Sequence, residues 1–201
     1  MTQKQKTHHL AAAALLAAVA AVLQFVEFSI PMMPAFVKLD VSDLPALLGT
    51  FSLGPVYGVA IQLVKNLLHL PFGSSACVGE LSNFLLGATF AFIAGIIYKK
   101  HKNRSGALWG SVAGAAAMAL ISLPLNYFIV YPAYVVLYGL PLEGIVGMYE
   151  AILGTVAHVP TGNALFNCLL VFNVPFTLCK GLLDVALCFL IYKPLSPLLH
   201  K

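Results

Sequence analysis

"LPALLGTFSLGPVYGVAIQLVKNLLHL", residues 44–70, is apolar enough for one long membrane helix or two short ones. Gly54-Pro55 lies at its centre. Proline withholds a backbone donor and disfavours helix at the residue before it, so local chemistry favours a break there. Basic residues give an independent test, because cytoplasmic connections near spans are rich in Lys and Arg. A single crossing puts Lys4 and Lys6 on the opposite face from "KKHKNR" (99–104). A turn back at Gly54 puts both on one face with Lys193 and Lys201, gathering eight of the 11 Lys and Arg there and no acidic residue. The two-helix reading follows.

Composition sets the solvent. The 201 residues are 60% hydrophobic and 9% charged, with a mean hydropathy of +0.92. Soluble domains carry about 25% charged residues, so lipid must cover most of this chain. The expected fold is all-α, an integral membrane bundle of six transmembrane helices in one domain spanning 1–201, with both termini cytoplasmic. The spans are read as 10–29, 43–54, 55–70, 78–98, 106–127 and about 170–192. The polar start "MTQKQKTHHL" carries no cleavage-type small residues after its apolar run, so the first span is read as retained. The second span is shorter than the roughly 20 residues a lipid-facing helix needs, which suits a helix surrounded by protein.

The outer connections are then about 30–43, 71–77 and 128–169. "PLEGIVGMYEAIL" (141–153) has apolar residues on one helix face and reads as a short helix lying at the membrane interface. "KLDVSDLP" (38–45) concentrates Lys38, Asp40 and Asp43 in an outward loop.

Ionisable groups inside spans are costly and point to function. Here they are Glu27, Lys65, Glu80, Lys180 and Asp184. Lys65, Glu80 and Lys180 share the outer half with Asn66, Asn83, Asn126 and Asn173, so several helices present polar groups at one depth to an outward-facing pocket. The bland alternative is snorkelling to headgroups, and for Lys180 an ion pair with Asp184 one turn on. Phe36, Tyr127, Tyr131, Tyr134, Phe172 and Phe176 lie at the same level, as belt residues or as walls for a flat aromatic ligand. Ala14 and Ala18 give the first helix a small-xxx-small face, for packing inside the bundle or against another protein.

Other chemistry is missing from the pattern. There is no GxxxxGK[ST] loop, no HExxH, no GxSxG and no basic, aromatic-interleaved nucleic-acid surface. The four cysteines (Cys77, Cys168, Cys179, Cys188) form no CxxC pair. No catalytic residue, metal site or cofactor is expected, and no nucleic-acid partner.

Four stretches together carry a resemblance: "LDVSDLPALLGTFSLGPVYGVAIQLVKNLLH" (39–69), "VGELSNFLLG" (78–87), "NYFIVYPAY" (126–134) and "VPFTLCKGLLD" (174–184). In this order they resemble the riboflavin-specific S components of energy-coupling factor (ECF) vitamin transporters. The resemblance implies a membrane subunit that captures riboflavin at the outer face of a bacterial plasma membrane. It implies partners too: a transmembrane coupling protein and two ABC ATPase subunits, which supply the energy that a chain without a P-loop cannot. It implies that the loop at about 30–43 is a lid, charged because it meets water and ligand. The substrate-binding positions implied are Asn126, Lys180, Thr177, Gly79, Glu80, Asn83, Phe36, Leu39, Asp43 and Tyr131, and Ala14 and Ala18 become the docking face for the coupling protein. One departure stands out. The family reads "PFN" before its lysine, and this chain reads "PFT", so Thr177 replaces an asparagine. Other readings stay open: an S component for another small vitamin or flavin such as FMN, or a small membrane enzyme.

Overall fold

A computed structural model describes residues 2–31, 33–34, 37–73, 77–137, 139, 141–153 and 163–199. Helix α1 (Gln3–Gln24) opens on a capping box between Thr2 and Gln5. A two-residue antiparallel pair follows, β1 (Phe28–Ser29) with β2 (Lys38–Leu39), Phe28 opposite Leu39. This hairpin is a departure from the all-α expectation, and it moves the end of the first span back from 29 to 24. Lys38 and Glu27 form an ion pair across its base.

The chain does break at Gly54. Helix α2 (Asp43–Leu53) ends there, and α3 (Pro55–His69) starts on the proline. Gly54 has φ 113°, a backbone region that a Cβ disfavours. The contacts are symmetric about that residue. Gly58 lies against Thr50, and Lys65 bonds Asp43. The two helices therefore run antiparallel. Every residue of Asp43–Phe51 is buried, so α2 is short and surrounded by protein.

Helices α4 (Val78–Lys100) and α5 (Arg104–Leu125) pack closely. A Cβ on Gly114 would sit 2.7 Å from the Phe90 carbonyl oxygen, so glycine is what lets these backbones approach. Small residues serve this purpose in lipid, where tails compete equally for apolar side chains. The α5 helix does not stop at 127. It continues through a π-helical turn, Asn126–Val130, into α6 (Tyr131–Leu137). Likewise the last span begins at α8 (Ala164–Cys168), passes a second π turn, Leu169–Asn173, and becomes α9 (Val174–Leu199). Helix α7 (Leu142–Leu153) lies between. It packs onto the bundle with Ile145 and Tyr149 fully buried, so the apolar face read from the sequence meets protein.

Four helical segments are long and apolar enough to cross a bilayer: 3–24, 78–100, 104–137 and 164–191. Many of their large apolar side chains face outward, Leu10, Leu15, Trp109, Leu120 and Leu190 among them. The polar groups are turned inward instead. This is a multi-pass helical membrane bundle.

Candidate substrate-binding cavity

The inward polar groups surround a cavity of about 400 Å³. Its walls come from α1, β2 and the residues flanking it, α2, α3, α4, α5, the two π turns, α6, α7 and α9. Ligand pockets for molecules of vitamin size fall in the same range, about 300–1,000 Å³.

One wall is an ionic chain. Lys65 Nζ donates to Asp43 Oδ1 at 2.5 Å and to Ser42 Oγ at 2.6 Å. Gln62 also donates to Asp43 Oδ1, at 2.9 Å. Lys180 Nζ donates to Asp40 Oδ2 at 2.9 Å and to Asn83 Oδ1 at 3.1 Å, and lies 3.5 Å from Asp43 Oδ2. Asp40 Oδ1 in turn accepts from the Ser42 backbone at 2.9 Å and its hydroxyl at 2.5 Å. Two buried lysines are thus neutralised by two buried aspartates. Burial would push the Asp40 carboxyl up, but Lys180 and Lys65 outweigh it and hold it below the usual carboxylate range.

This overturns one expectation. Asp40 and Asp43 do not lie on an outer, solvated surface: they are 6% and 1% exposed and line the cavity. The loop carries charge because the lysines of two distant helices need counter-ions in a low-dielectric setting. The bland alternative for Lys180, a pair with Asp184, is not formed. The lysine's partner is Asp40, 140 residues away, while both Asp184 carboxyl oxygens are buried without a hydrogen bond among the described residues.

A second wall is a neutral triangle. Tyr131 and Tyr149 share a 2.5 Å hydroxyl contact, Tyr149 donates to Asn173 Oδ1 at 2.6 Å, and Asn173 Nδ2 donates to Tyr131 at 3.1 Å. Burial, then its Tyr131 neighbour, pushes the Tyr149 hydroxyl up, so it stays a donor. The triangle ties α7 to the two π turns. A third wall holds His69 and Glu80, 3.0 Å apart.

Against these satisfied networks, Asn126 and Thr177 stand out. Both are buried and line the cavity, and among the described residues neither side chain is hydrogen-bonded to protein. Their polar groups open onto the cavity, where a ligand with matching donors and acceptors can pair with them. Val130, Met118, Met148 and Phe176 supply apolar surface beside them.

Of the residues singled out in the sequence, Asn126, Lys180, Thr177, Gly79, Glu80, Asn83, Asp43 and Tyr131 line this one cavity. Leu39 does not. It is half-buried in β2, with its backbone in the hairpin. Phe36 lies outside the described residues. Tyr127 also stays off the cavity and accepts a hydrogen bond from Asn163. Sequence reasoning missed Asp40, Gln24 and His69 as lining residues. For Asp40 a signal existed: two lysines in spans demand two carboxylates, and "KLDVSDLP" has two. Ala14 and Ala18 are exposed on α1, while Ala13, Ala17 and Ala20 pack against Ala46 and Ile61.

Comparison with known proteins agrees with this architecture. The chain is 32% identical over 197 residues to the riboflavin transporter RibU of Staphylococcus aureus (strain TCH60), covering 98% of this chain and 95% of that one. It is 28% identical over 201 residues to the riboflavin transporter FmnP of Bacillus subtilis (strain 168), covering 98% and 96%. A solved structure described as the S component of a bacterial ECF transporter superposes with a TM-score of 0.74 at 32% identity, covering 98% of this chain and 99% of that one. The family model for "ECF transporter, substrate-specific component" matches residues 8–192, and the chain belongs to that family of transporter components.

Proposed function

We propose that this S component captures riboflavin in the 400 Å³ cavity and delivers it to an energising module for uptake. The observation that carries the reading is the pair of unpartnered polar groups, Asn126 and Thr177, facing a cavity with apolar side walls. An isoalloxazine ring is apolar on its faces and has a uracil-like edge of donors and acceptors. Aliphatic and aromatic side chains cover the faces; Asn126 and Thr177 meet the polar atoms, with Glu80, Asn83 and Lys180 at the rim. The riboflavin transporters to which the chain is similar support the choice of ligand.

The loop at 30–43 acts as the lid, held by the Asp40–Lys180 pair. Counting the buried α2 and α3 as crossings gives six spans, with both termini and the 101–103 connection on the cytoplasmic side of a bacterial plasma membrane. The coupling protein docks on Ala14 and Ala18, and two ABC ATPase subunits complete the module.

The test is titration of the purified protein with riboflavin and with FMN, followed by quenching of flavin fluorescence. Stoichiometric quenching by riboflavin, and weaker quenching by FMN because of its phosphate, is the expected result. A folded protein that quenches neither removes flavins as substrates.

A further inference from the structure

The short α2 has a consequence at the other end of the bundle. It starts beside Lys180 and spans about 16 Å, whereas α4 spans about 34 Å. The α2–α3 turn stops level with Gly95, where a Cβ would sit 2.6 Å from Pro55. Helix α4 runs on to Lys100. A notch remains beneath the turn, a cavity of about 260 Å³ between α2, α4, α5 and α9.

The notch is amphipathic. Its floor is Phe51 stacked edge-on against Tyr98, with Ala107 and Phe189 as side walls. Its mouth carries Lys102 and Arg104, both exposed. None of the described acidic residues pairs with either cation. Trp109, 66% exposed just inside α5, is the kind of residue that sits at headgroup depth. A basic mouth over an apolar slot between helix ends fits an anion joined to a hydrocarbon chain.

We propose that this notch binds one anionic phospholipid, its phosphate between Lys102 and Arg104 and part of an acyl chain against Phe51 and Ala107. The site is separate from the flavin cavity, and does not rest on the flavin reading. With the orientation proposed above, the lipid belongs to the cytoplasmic leaflet.

The full-length protein, delipidated in detergent, is titrated with dioleoyl phosphatidylglycerol and adducts are counted by native mass spectrometry. Dioleoyl phosphatidylcholine and inorganic phosphate serve as comparison ligands. One phosphatidylglycerol binds ahead of all others, and the K102Q/R104Q variant, changed only at exposed positions, weakens it about tenfold. Ala107→Phe, which keeps every charge but fills the slot, weakens it as well. Thermal unfolding confirms that both variants are folded. An adduct unaffected by both variants overturns the proposal. So does loss in K102Q/R104Q with none in folded Ala107→Phe, since that describes diffuse charge attraction. Displacement of the lipid by inorganic phosphate at comparable concentration identifies a free phosphate site and also overturns it. Riboflavin quenching is a separate readout, so failure there leaves the lipid result interpretable.

Discussion

Lys180 is buried in α9, and its charge needs a counter-ion in a low-dielectric setting. Four residues separate it from Asp184, and helical spacing alone makes that pair natural. The ammonium instead turns to Asp40 and Asn83. No local pattern encodes a contact across 140 residues, although the need for some carboxylate was legible. Replacing Asp40 by Asn leaves Asp43, at 3.5 Å, as the remaining ion-pair partner of Lys180 among the described residues. Breaking one partner of a buried pair costs about 3–5 kcal/mol, and because Asp40 belongs to the proposed lid, riboflavin release is expected to quicken. Stopped-flow dissociation measures it; an unchanged rate would detach the pair from lid closure. The sign of the pH effect follows from the lowered Asp40 value. The pair's contribution is complete above the carboxyl's unfolded pKa and is lost only as pH falls toward its lower folded value. Affinity should therefore be flat from about pH 8 to about pH 5. A midpoint within that window would assign the control to another group. Thr177 makes a finer case. Thr177→Val keeps the shape and removes the hydroxyl, so binding should weaken by about 1 kcal/mol, roughly fivefold. Equal affinity in the two proteins would mean that the hydroxyl does not meet the flavin.

At the scale of elements, Gly54-Pro55 was readable because each residue has one strong backbone rule. The ends of the later spans were not. "LPLNYF" (123–128) looks like a helix end, since Pro124 withholds a donor, yet the helix continues through a π turn. Proline is tolerated inside membrane helices because neighbouring turns readjust. The same widening recurs at Leu169–Asn173, and the two turns bring Asn126 and Asn173 to the cavity. Periodicity at 3.6 residues has no register for such a turn, so it is invisible in the pattern. The β pair was hidden for another reason: two residues per strand are too few to show alternation. The α2–α3 hairpin supports a test of its own. A Cβ on Gly54 meets nothing within 4 Å, so Gly54→Ala carries only the backbone cost of an extended, positive-φ conformation that is essentially confined to glycine, about 1–3 kcal/mol. A Cβ on Gly58 collides with Thr50 and lies 3.2 Å from the Ala46 carbonyl oxygen. Gly58→Leu must therefore spread the hairpin and displace Asp43 from Lys65. Thermal unfolding with and without riboflavin should show a modest loss for the first variant. The second should lose both stability and binding. Retained binding in Gly58→Leu would mean that the hairpin does not position the ionic wall.

For the whole molecule, the partition of polarity was the most legible feature. A chain with 9% charged residues has few ways to place them, and Asp40, Asp43, Glu80 and Lys180 line one cavity. What the sequence left ambiguous was which alanines of "AAAALLAAVAA" (11–21) face the bundle. The structure separates them: Ala13, Ala17 and Ala20 pack against α2 and α3, while Ala14 and Ala18 form an exposed small-residue strip one position away. A strip of methyl groups in lipid loses little by itself, but it lets a second protein's helix come close. The cavity lies at the other end of this division of labour, with Gln24 as its only α1 contact besides the Glu27 that follows the helix. Substituting Leu at Ala14 and Ala18 should therefore leave riboflavin affinity within about twofold, because the changed surface is far from the lining and sites without shared partners act additively. Uptake by cells that supply the energising module should be abolished, because bulk on the strip holds the partner helix away. The comparison is quenching of purified protein against accumulation of labelled riboflavin in the same expression host. If affinity and uptake fall together, α1 is coupled to the cavity and the strip is part of the binding fold. If both persist, the coupling protein docks elsewhere on the bundle.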